Sequence, residues 1–509
     1  IQRLRGPMEA HLHAKIKVTS MRLFHTAEER AQLQSSPGWH DEWSAGMIIE
    51  VGGHDGDRGW HATATLASNW HVSGSQMRLE YMLVEAFEST ELKIDGGRLF
   101  EDVTAAVLGE EPAWTEQLLV GQDRWARTIE ERLGMGLYKH SGVAIGDANG
   151  DGREDIYLAQ PAGLPNLLLL KDQDGALRNA SAAAGVDWLD HTSSALFADL
   201  DADGDLDLAA CVAGTVLVHE NTGPSPSGPA TSPPTPRFIR RVALSSGDTD
   251  LYGLSAADVD GDGDLDLYVT ADFASRRDRK GADRARFDYV DANDGGRNVL
   301  WRNDSEFRFV DATEPLGLDV HNRRHSLAAT WRDIDRDGDV DLYVANDYGQ
   351  NCLYLNRSER GSSAESGQSR PLFEECAEAC GVMDRGSGMS IDVGDTNRDG
   401  RLDLFVANMW SSAGRRIVPQ AGFGAAATTE QREQFSRFAK GNTLFTANVS
   451  ASPGDAAGTS SPFIESSAGR NVERGRWAWG SPLVDIDGDG WEDMLVGNGY
   501  VTSWNSGDL

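Results

Sequence analysis

The amino-acid sequence predicts an all-β chain: a β-propeller of four-stranded blades, preceded by a small antiparallel β domain and one linker helix. Three observations predict it. A nine-residue pattern, D-x-[DN]-x-D-G-x-x-D, recurs six times. An apolar stretch precedes each copy and an alternating strand follows it. Two further short segments recur behind each copy, in the same order.

The copies begin at Asp147, Asp199, Asp258, Asp333, Asp395 and Asp485, so successive first aspartates are 52, 59, 75, 62 and 90 residues apart. SGVAIG, SSALFA and SLAATW illustrate the stretch before the loop. DIYLAQ, DLAACV, DLYVTA, DLYVAN, DLFVAN and DMLVGN are the strands after it. The second recurring segment reads NLLLLKD, TVLVHEN, NVLWRN, NCLYLN and NTLFTAN. The third reads LRNASAAAG, FRFVDATEPLG, LFEECAEACG and FIESSAG, with RFIRRVALSSG a weaker copy. The order is strand A, loop, strand B, strand C, strand D. Four antiparallel strands in about 50–60 residues is the layout of a propeller blade. A further D-like segment, LFEDVTAAVLG, begins at Leu99, and the last unit ends after strand B near Val501. The simplest closure pairs that early D strand with the late A and B strands, which would remove a free sheet edge.

The loops carry the chemistry. Four carboxylates in nine residues repel one another and depress strand propensity, so a hard cation among them makes sense of the pattern. Ca2+ takes six to eight oxygen ligands at about 2.3–2.6 Å. Positions 1, 3 and 5 turn inward together, position 7 offers its carbonyl and position 9 closes the shell, while Gly at position 6 allows the sharp turn. The candidate ligands are Asp147, Asn149, Asp151, Arg153 and Asp155 in the first loop, and Asp199, Asp201, Asp203, Asp205 and Asp207 in the second. The third has Asp258, Asp260, Asp262, Asp264 and Asp266, and the fourth Asp333, Asp335, Asp337, Asp339 and Asp341. The fifth has Asp395, Asn397, Asp399, Arg401 and Asp403, and the sixth Asp485, Asp487, Asp489, Trp491 and Asp493. The glutamate that ends an EF-hand loop at position 12 is missing: Leu158, Ala210, Val269, Val344, Val406 and Val496 stand there, inside strands. Asp-Gly also marks a plain hairpin turn, but six filled ligand sets favour about six calcium ions. Mg2+ fits less well, because it keeps its waters. Six divalent ions would bring the formal charge from −33 to about −21.

The loops, the apolar strand before them and the DLYVAN-type continuation resemble the FG-GAP/VCBS repeats of integrin-α-type calcium-binding propellers. NVLWRN…FRFVDATEPLGL and GMSIDVGDTNRDGRLDLFVANM are similar to the secreted cartilage-acidic-protein and ASPIC/UnbV-associated group. The resemblance covers roughly residues 99–501. It implies seven blades, whereas the loops alone count six. A metal-free seventh blade would have to come from residues 60–105, where DGGRLFEDVT mimics DQDGALRNAS.

Residues 1–97 lack the repeat. HLHAKIKVTSMRLF, AGMIIEVGG, WHATATLASNWHV and QMRLEYMLVEAF alternate, as antiparallel strands do. His11, His13, His25, His40, His54, His61 and His71 lie here. His11 and His13 share a strand face, which a transition metal would use, but a polar sheet face is the better-supported reading. Residues 98–140 supply the closing strand and a helix over 112–133, with Leu118, Trp125, Ile129 and Leu133 on one face. The propeller fills 141–509. Cys376 and Cys380 read as partly buried free thiols. N-x-S sequons stand at Asn179, Asn303, Asn356 and Asn448.

Acidic residues outnumber basic ones 80 to 47, which excludes nucleic acid as the main partner. No apolar run is long enough to span a membrane, and four cysteines rule out a disulfide scaffold. The chain opens Ile1-Gln2-Arg3, as a processed or excised polypeptide would. No catalytic motif stands out. The sequence therefore predicts a calcium-stabilised binding or scaffold protein, extracellular, cell-surface or periplasmic, with a protein or anionic glycan as partner. The alternative is a polysaccharide lyase or hydrolase on the same scaffold. Spacers between strands C and D are Pro-, Ser- and Gly-rich. The two longest B–C insertions, 272–297 and 409–440, carry seven and five basic residues with interleaved aromatics. Arg276, Arg277, Arg415 and Arg416 mark them as docking candidates on the face opposite the calcium loops, the alternative being that both insertions cover the first domain or a neighbouring blade.

Overall fold

The computed structural model describes residues 11–23, 41–55, 58–73, 76–93, 100–120, 125, 142–224, 233–247, 251–272, 291–358, 372–420, 422–424, 427–449 and 461–498. The chain divides into two compact units, Ile1–Asp102 with Ser412–Ala427, and Val103–Ser411 with Thr428–Leu509.

The first unit is a meander of four long strands, β1 (His11–Leu23), β2 (Asp41–Asp55), β3 (Arg58–Ser73) and β4 (Gln76–Lys93). Each pairs antiparallel with the next. The short helix Ser412–Ile417 lies against β1 in this unit. β3 and β4 pair from Arg58↔Lys93 to Ser73↔Gln76, a continuous ladder far longer than any blade strand. Residues 60–93 therefore belong to this meander and do not form a metal-free blade. The register sets His11 opposite His54 and His71 opposite Arg78, while His25 and His40 lie outside the described residues.

The second unit is built from repeat sheets, each ordered A-B-C-D. They are β5 to β8 (Val143–Gly146, Asp155–Leu158, Leu167–Lys171, Leu177–Asn179) and β9 to β12 (Thr192–Ala198, Asp207–Val212, Thr215–Pro224, Pro236–Leu244). Next come β13 to β16 (Leu251–Ala257, Asp266–Ala271, Val299–Asn303, Phe309–Asp311) and β17 to β20 (His325–Arg332, Asp341–Asp347, Cys352–Asn356, Phe373–Glu375). The fifth is β21 to β24 (Gly388–Gly394, Asp403–Asn408, Thr443–Ala447, Phe463–Glu465). A last A–loop–B hairpin follows as β25 (Ala478–Gly480), β26 (Leu483–Val484), β27 (Asp493–Met494) and β28 (Gly497–Asn498). The A strands of successive sheets lie side by side, from β5 against β9 through to β21 against β25.

Period-2 alternation packs these sheets face to face. In β10, Leu208, Ala210 and Val212 meet Tyr157, Leu168 and Leu170 of the sheet before, while Ala209 and Cys211 meet Val269 and Val299 of the sheet after. The B strands β10, β14 and β22 are buried at every residue, because neighbouring sheets cover both of their faces. Leu342, Val344 and Tyr354 then pack on Tyr268 and Leu300, and Ile391, Leu404 and Phe445 on Tyr343 and Leu353.

The first sheet has no earlier repeat to cover its other face. Instead the D-like segment does so: Thr104–Leu108 is helical, Trp114–Leu118 forms a single π turn, and Val107, Leu108, Trp114 and Leu118 pack on Leu167, Leu169 and Leu177. This corrects the expected closure. Phe100–Asp102 form no strand, and the segment lies beside β8 rather than in a ladder with the late A and B strands. Of the expected helix over 112–133, the described residues are 112–120 and 125: Pro112 and Ala113 are helical and run into the π turn, and Trp125 is helical, with its indole donating to Gln117 O at 3.1 Å. Ile129 and Leu133 lie outside the described residues.

An asparagine at the end of strand C staples each sheet to its predecessor. Asn221 Nδ2 donates to Ala148 O (2.9 Å), Asn303 Nδ2 to Leu200 O (2.8 Å) and Asn356 Nδ2 to Val259 O (3.0 Å). Each acceptor is the second residue of the preceding loop. Asn303 and Asn356 are buried, so these two sequons serve the core. In the fifth sheet the equivalent residue is Ala447, and a small cavity opens there between Ile334, Leu355, Ala447 and Phe463. Ala447→Asn should supply the missing staple to Ile334 O and stabilise the chain by about 1 kcal/mol, read as a higher midpoint in urea. Asn356→Ala should lower it by at least as much.

Candidate metal centres

Each loop is organised by its first and fifth residues. Asp199 Oδ1 accepts from Asp203 N (3.1 Å) and Asp199 Oδ2 from Gly204 N (3.1 Å). Asp258, Asp395 and Asp485 repeat both bonds on the fifth and sixth residues of their loops. The carboxylate at position 5 then accepts from the N–H of position 7, as Asp262 does from Asp264 (3.0 Å). These bonds demand left-handed backbone at positions 4 and 6. Gly204, Gly263 and Gly338 sit at φ of 96°, 97° and 98°, and Ala202, Arg336 and Arg398 at 60°, 67° and 58°. A Cβ on Gly204 or Gly338 would meet no atom within 4 Å, so conformation, not space, requires glycine there.

In four loops the carboxylates converge. One oxygen from each of Asp199, Asp201 and Asp203 lies within 4.8 Å of the others, as do those of Asp258, Asp260 and Asp262, of Asp333, Asp335 and Asp341, and of Asp485, Asp487 and Asp493. Oxygens bound to one calcium at about 2.3–2.6 Å are separated by up to about 5 Å, so the clusters match the ion in size. Asp201 Oδ1, Asp205 Oδ1 and Asp333 Oδ1 are buried and lack a hydrogen-bond partner among the described residues. Burial first, then the charges of Asp203, Asp201 and Asp199, pushes the Asp205 carboxyl up to about 6. Orphaned oxygens and carboxyls held above their ordinary range are what a removed cation would leave.

Loops one and five differ. Asn replaces Asp at position 3 and Arg occupies position 7. In loop one the Arg153 guanidinium pairs with Asp151, and Asn149 Nδ2 donates to Asp151 Oδ2 at 3.1 Å. In loop five Arg398 stacks over Trp491 of the sixth loop, 5.1 Å from the ring centroid. In loop one a protein cation thus takes part of the charge balance.

Position 9 does something the sequence pattern does not reveal. Asp207 accepts from Leu200 N (2.9 Å) and Asn221 N (2.8 Å), one bond to each oxygen. Asp155, Asp266 and Asp341 do the same with Ala148 and Lys171, Val259 and Asn303, and Ile334 and Asn356. Asp403 Oδ1 accepts from Ala447 N at 2.9 Å, and Thr396 Oγ1 takes the place of the loop N–H. The ninth aspartate therefore braces the loop to the end of strand C. Burial pushes Asp207, Asp266 and Asp341 up to about 7 against the pull of these donors.

The expected docking insertions are partly consumed by the fold. Trp410 and Phe438 are buried. Arg437 grips buried Asp384 through Nε (2.8 Å) and Nη2 (2.6 Å), and Lys440 lies by Glu465 and Glu473. Arg415 is exposed, while Arg276 and Arg277 lie outside the described residues. Sequence reading also missed His325, fully buried with Nδ1 2.9 Å from Asp272 and Nε2 3.3 Å from Asp294. It bridges the third and fourth repeat sheets at the end opposite the aspartate loops. A His at the first position of an A strand was its only trace.

The brace and the ligands are separable. With calcium chelated, Asp266→Asn should cost about 1.5–3 kcal/mol, because a charged acceptor of two buried N–H groups is lost. Asp337→Ala should cost little in chelator and show its effect only as one fewer bound ion. Paired urea melts with and without calcium check both.

Comparison with known proteins agrees with this architecture. An FG-GAP-like repeat model matches residues 147–210 and 333–406, and an FG-GAP repeat model matches 251–285. Cartilage acidic protein 1 from Homo sapiens is 25% identical over 208 residues, which is 41% of this chain and 25% of that protein. The Mus musculus protein is 24% identical over 208 residues, 41% of this chain and 26% of its own length. The chain thus spans about a quarter of these relatives. Among solved structures, an Agrocybe aegerita lectin described as recognising non-reducing terminal N-acetylglucosamine has a TM-score of 0.35 at 14% identity, covering 72% of this chain and 76% of its own. That likeness says nothing of what this chain binds. With these segments matched by model and the repeat sheets in place, the chain carries FG-GAP repeats and is similar to the cartilage-acidic-protein group.

Proposed function

We propose that the chain is a calcium-stabilised, extracytoplasmic binding or scaffold propeller whose partner is a protein or an anionic glycan. The observation that carries the calcium reading is the convergence of three carboxylate oxygens within 4.8 Å in the second, third, fourth and sixth loops. Buried oxygens without donors in the second and fourth add to it. The first and fifth loops, each with an asparagine and an arginine, hold their ions more weakly. With no bidentate glutamate at position 12, such sites suit the millimolar calcium of extracellular modules. That calcium requirement is the support for an extracytoplasmic address, and no helix among the described residues is long and apolar enough to cross a membrane.

The scaffold reading rests on the same geometry. Ions at the A–B turns rigidify one rim of the sheets, which leaves the B–C insertions as the variable elements on the opposite rim. Their arginines are basic islands on a chain of formal charge −33, which suits an acidic partner. Since Arg437 and Lys440 already have acidic partners, the docking candidates are Arg276, Arg277, Arg415 and Arg416.

Chelation should lower the melting temperature markedly, and calcium should restore it where magnesium does so poorly. Each site stabilises by about 2.7 kcal/mol at a hundredfold excess of ion over Kd. A melt indifferent to chelator would refute the calcium reading. On glycan and protein arrays probed with the calcium-loaded chain, replacing Arg276, Arg277, Arg415 and Arg416 by Ser should abolish the strongest hit. An undiminished hit would put the partner elsewhere.

A further inference from the structure

The connection from the third repeat sheet to the fourth brings together three side chains of a different donor type. His321 lies in the turn that follows the short helix Thr313–Leu316. Cys352 opens strand β19 and Glu375 ends strand β20. Tyr354 pairs with Glu375 across the two strands, so Cys352, two residues before Tyr354, shares a face with Glu375. That face points at the third sheet. One ligand atom of each residue lies within 4.8 Å of the other two, and His321 Nδ1 is 3.5 Å from Glu375 Oε2. Nitrogen and oxygen bound tetrahedrally to zinc at about 2.0–2.2 Å stand about 3.4 Å apart.

We propose that His321, Cys352 and Glu375 form a site for a thiophilic divalent ion, zinc(II) above all, independent of the aspartate loops. Each ligand is held by its surroundings. Tyr354 Oη donates to Val320 O at 2.7 Å and anchors the backbone beside His321. His321 itself is fixed at φ 56°, in the left-handed region. Glu375 Oε1 accepts from Ala377 N at 2.9 Å, which turns Oε2 toward the imidazole. Cys352 is buried, and its Sγ lies 3.9 Å from His321 O, 3.8 Å from Gln350 O and 3.9 Å from Asn346 Nδ2. Thiolate and imidazole select a softer ion than calcium. A thiolate and a carboxylate neutralise the two charges of the ion, the imidazole binds neutral, and the half-exposed His321 side leaves the fourth position to water. Binding forms the sulfur–metal bond and releases the thiol proton to solvent, one per ion.

Cobalt(II) reports on the site directly, because a cysteine ligand gives a thiolate-to-cobalt charge-transfer absorption that carboxylate loops cannot give. The full chain, its loops first saturated with calcium, is titrated with Co2+ and then with Zn2+. The expected result is a charge-transfer band that saturates at one ion per chain and that zinc abolishes. Cys352→Ser should remove it. His321→Ala and Glu375→Gln should each weaken cobalt binding more than about tenfold, the loss seen even for residues that only support a ligand. Both variants should keep the calcium-loaded melting temperature, which separates lost ligation from lost folding. The double variant Cys376→Ser/Cys380→Ser should leave the band unchanged. Absence of the band, its loss in that double variant, or its survival at full affinity in His321→Ala would overturn the assignment.

Discussion

The interaction on which the rest of the structure depends is a buried carboxylate that accepts two backbone N–H groups from two different segments. The ninth residue of each of the first five loops starts strand B, and its oxygens reach back to the loop and across to the end of strand C. Burying a carboxylate costs several kcal/mol when it has no donors. Two charge-assisted bonds offset much of that cost. In return one side chain sets the length of the loop, the register of B against C and the position of the C-strand asparagine. That asparagine then holds the carbonyl of the previous loop. Loop, sheet and sheet-to-sheet stacking are thus coupled through a single residue type.

The outer carboxylates have a different task. Positions 1 and 5 hold the turn in shape through the loop's own backbone, yet in four loops position 1 also crowds position 3 and a third carboxylate, from position 5 in the second and third loops and from position 9 in the fourth and sixth. The braces start strand B inside the sheets and the clusters lie in the loops, with Asp341 and Asp493 belonging to both. On the proposed reading a cation would be a fastener at the loops of sheets whose cores close by apolar stacking. Arg153 of the first loop, paired with Asp151, shows part of the same requirement met from within the chain.

Much of this was legible in the amino-acid order. The Asp-x-Asp spacing, the alternating strands and the recurrent C and D segments located the repeat sheets, because period-2 burial between stacked sheets leaves a strong local signal. The ninth aspartate reads as a fifth ligand in the sequence, and its bracing role stayed hidden because spacing records that a carboxylate is needed, not whether it meets a metal, an N–H or both, as Asp341 is placed to do. The D-like segment at Leu99 misled for a related reason. LFEDVTAAVLG carries the same apolar pattern as the other D segments, but a strand needs a partner edge, and here the helical turn covers Leu167 and Leu169 instead. Two of the staple asparagines, Asn303 and Asn356, resembled glycosylation sequons, and the staple depends on contacts up to 103 residues away in sequence. His321, Cys352 and Glu375 stand 31 and 23 residues apart, in a turn and in two strands of the fourth sheet, and only the fold brings them together.

Hydrogen exchange of individual backbone amides tests the central claim most directly, since it reads brace and rim separately in one sample. With calcium chelated, the amides of Leu200, Asn221, Val259 and Asn303, which donate to the ninth aspartates, should exchange as slowly as the strand cores around them. Those of Asp203, Gly204, Asp262 and Gly263 should exchange fast and slow down only when calcium is added. If the first group exchanged as fast as the second in the absence of calcium, the ninth aspartate would be a metal ligand without a bracing role and the account would fail.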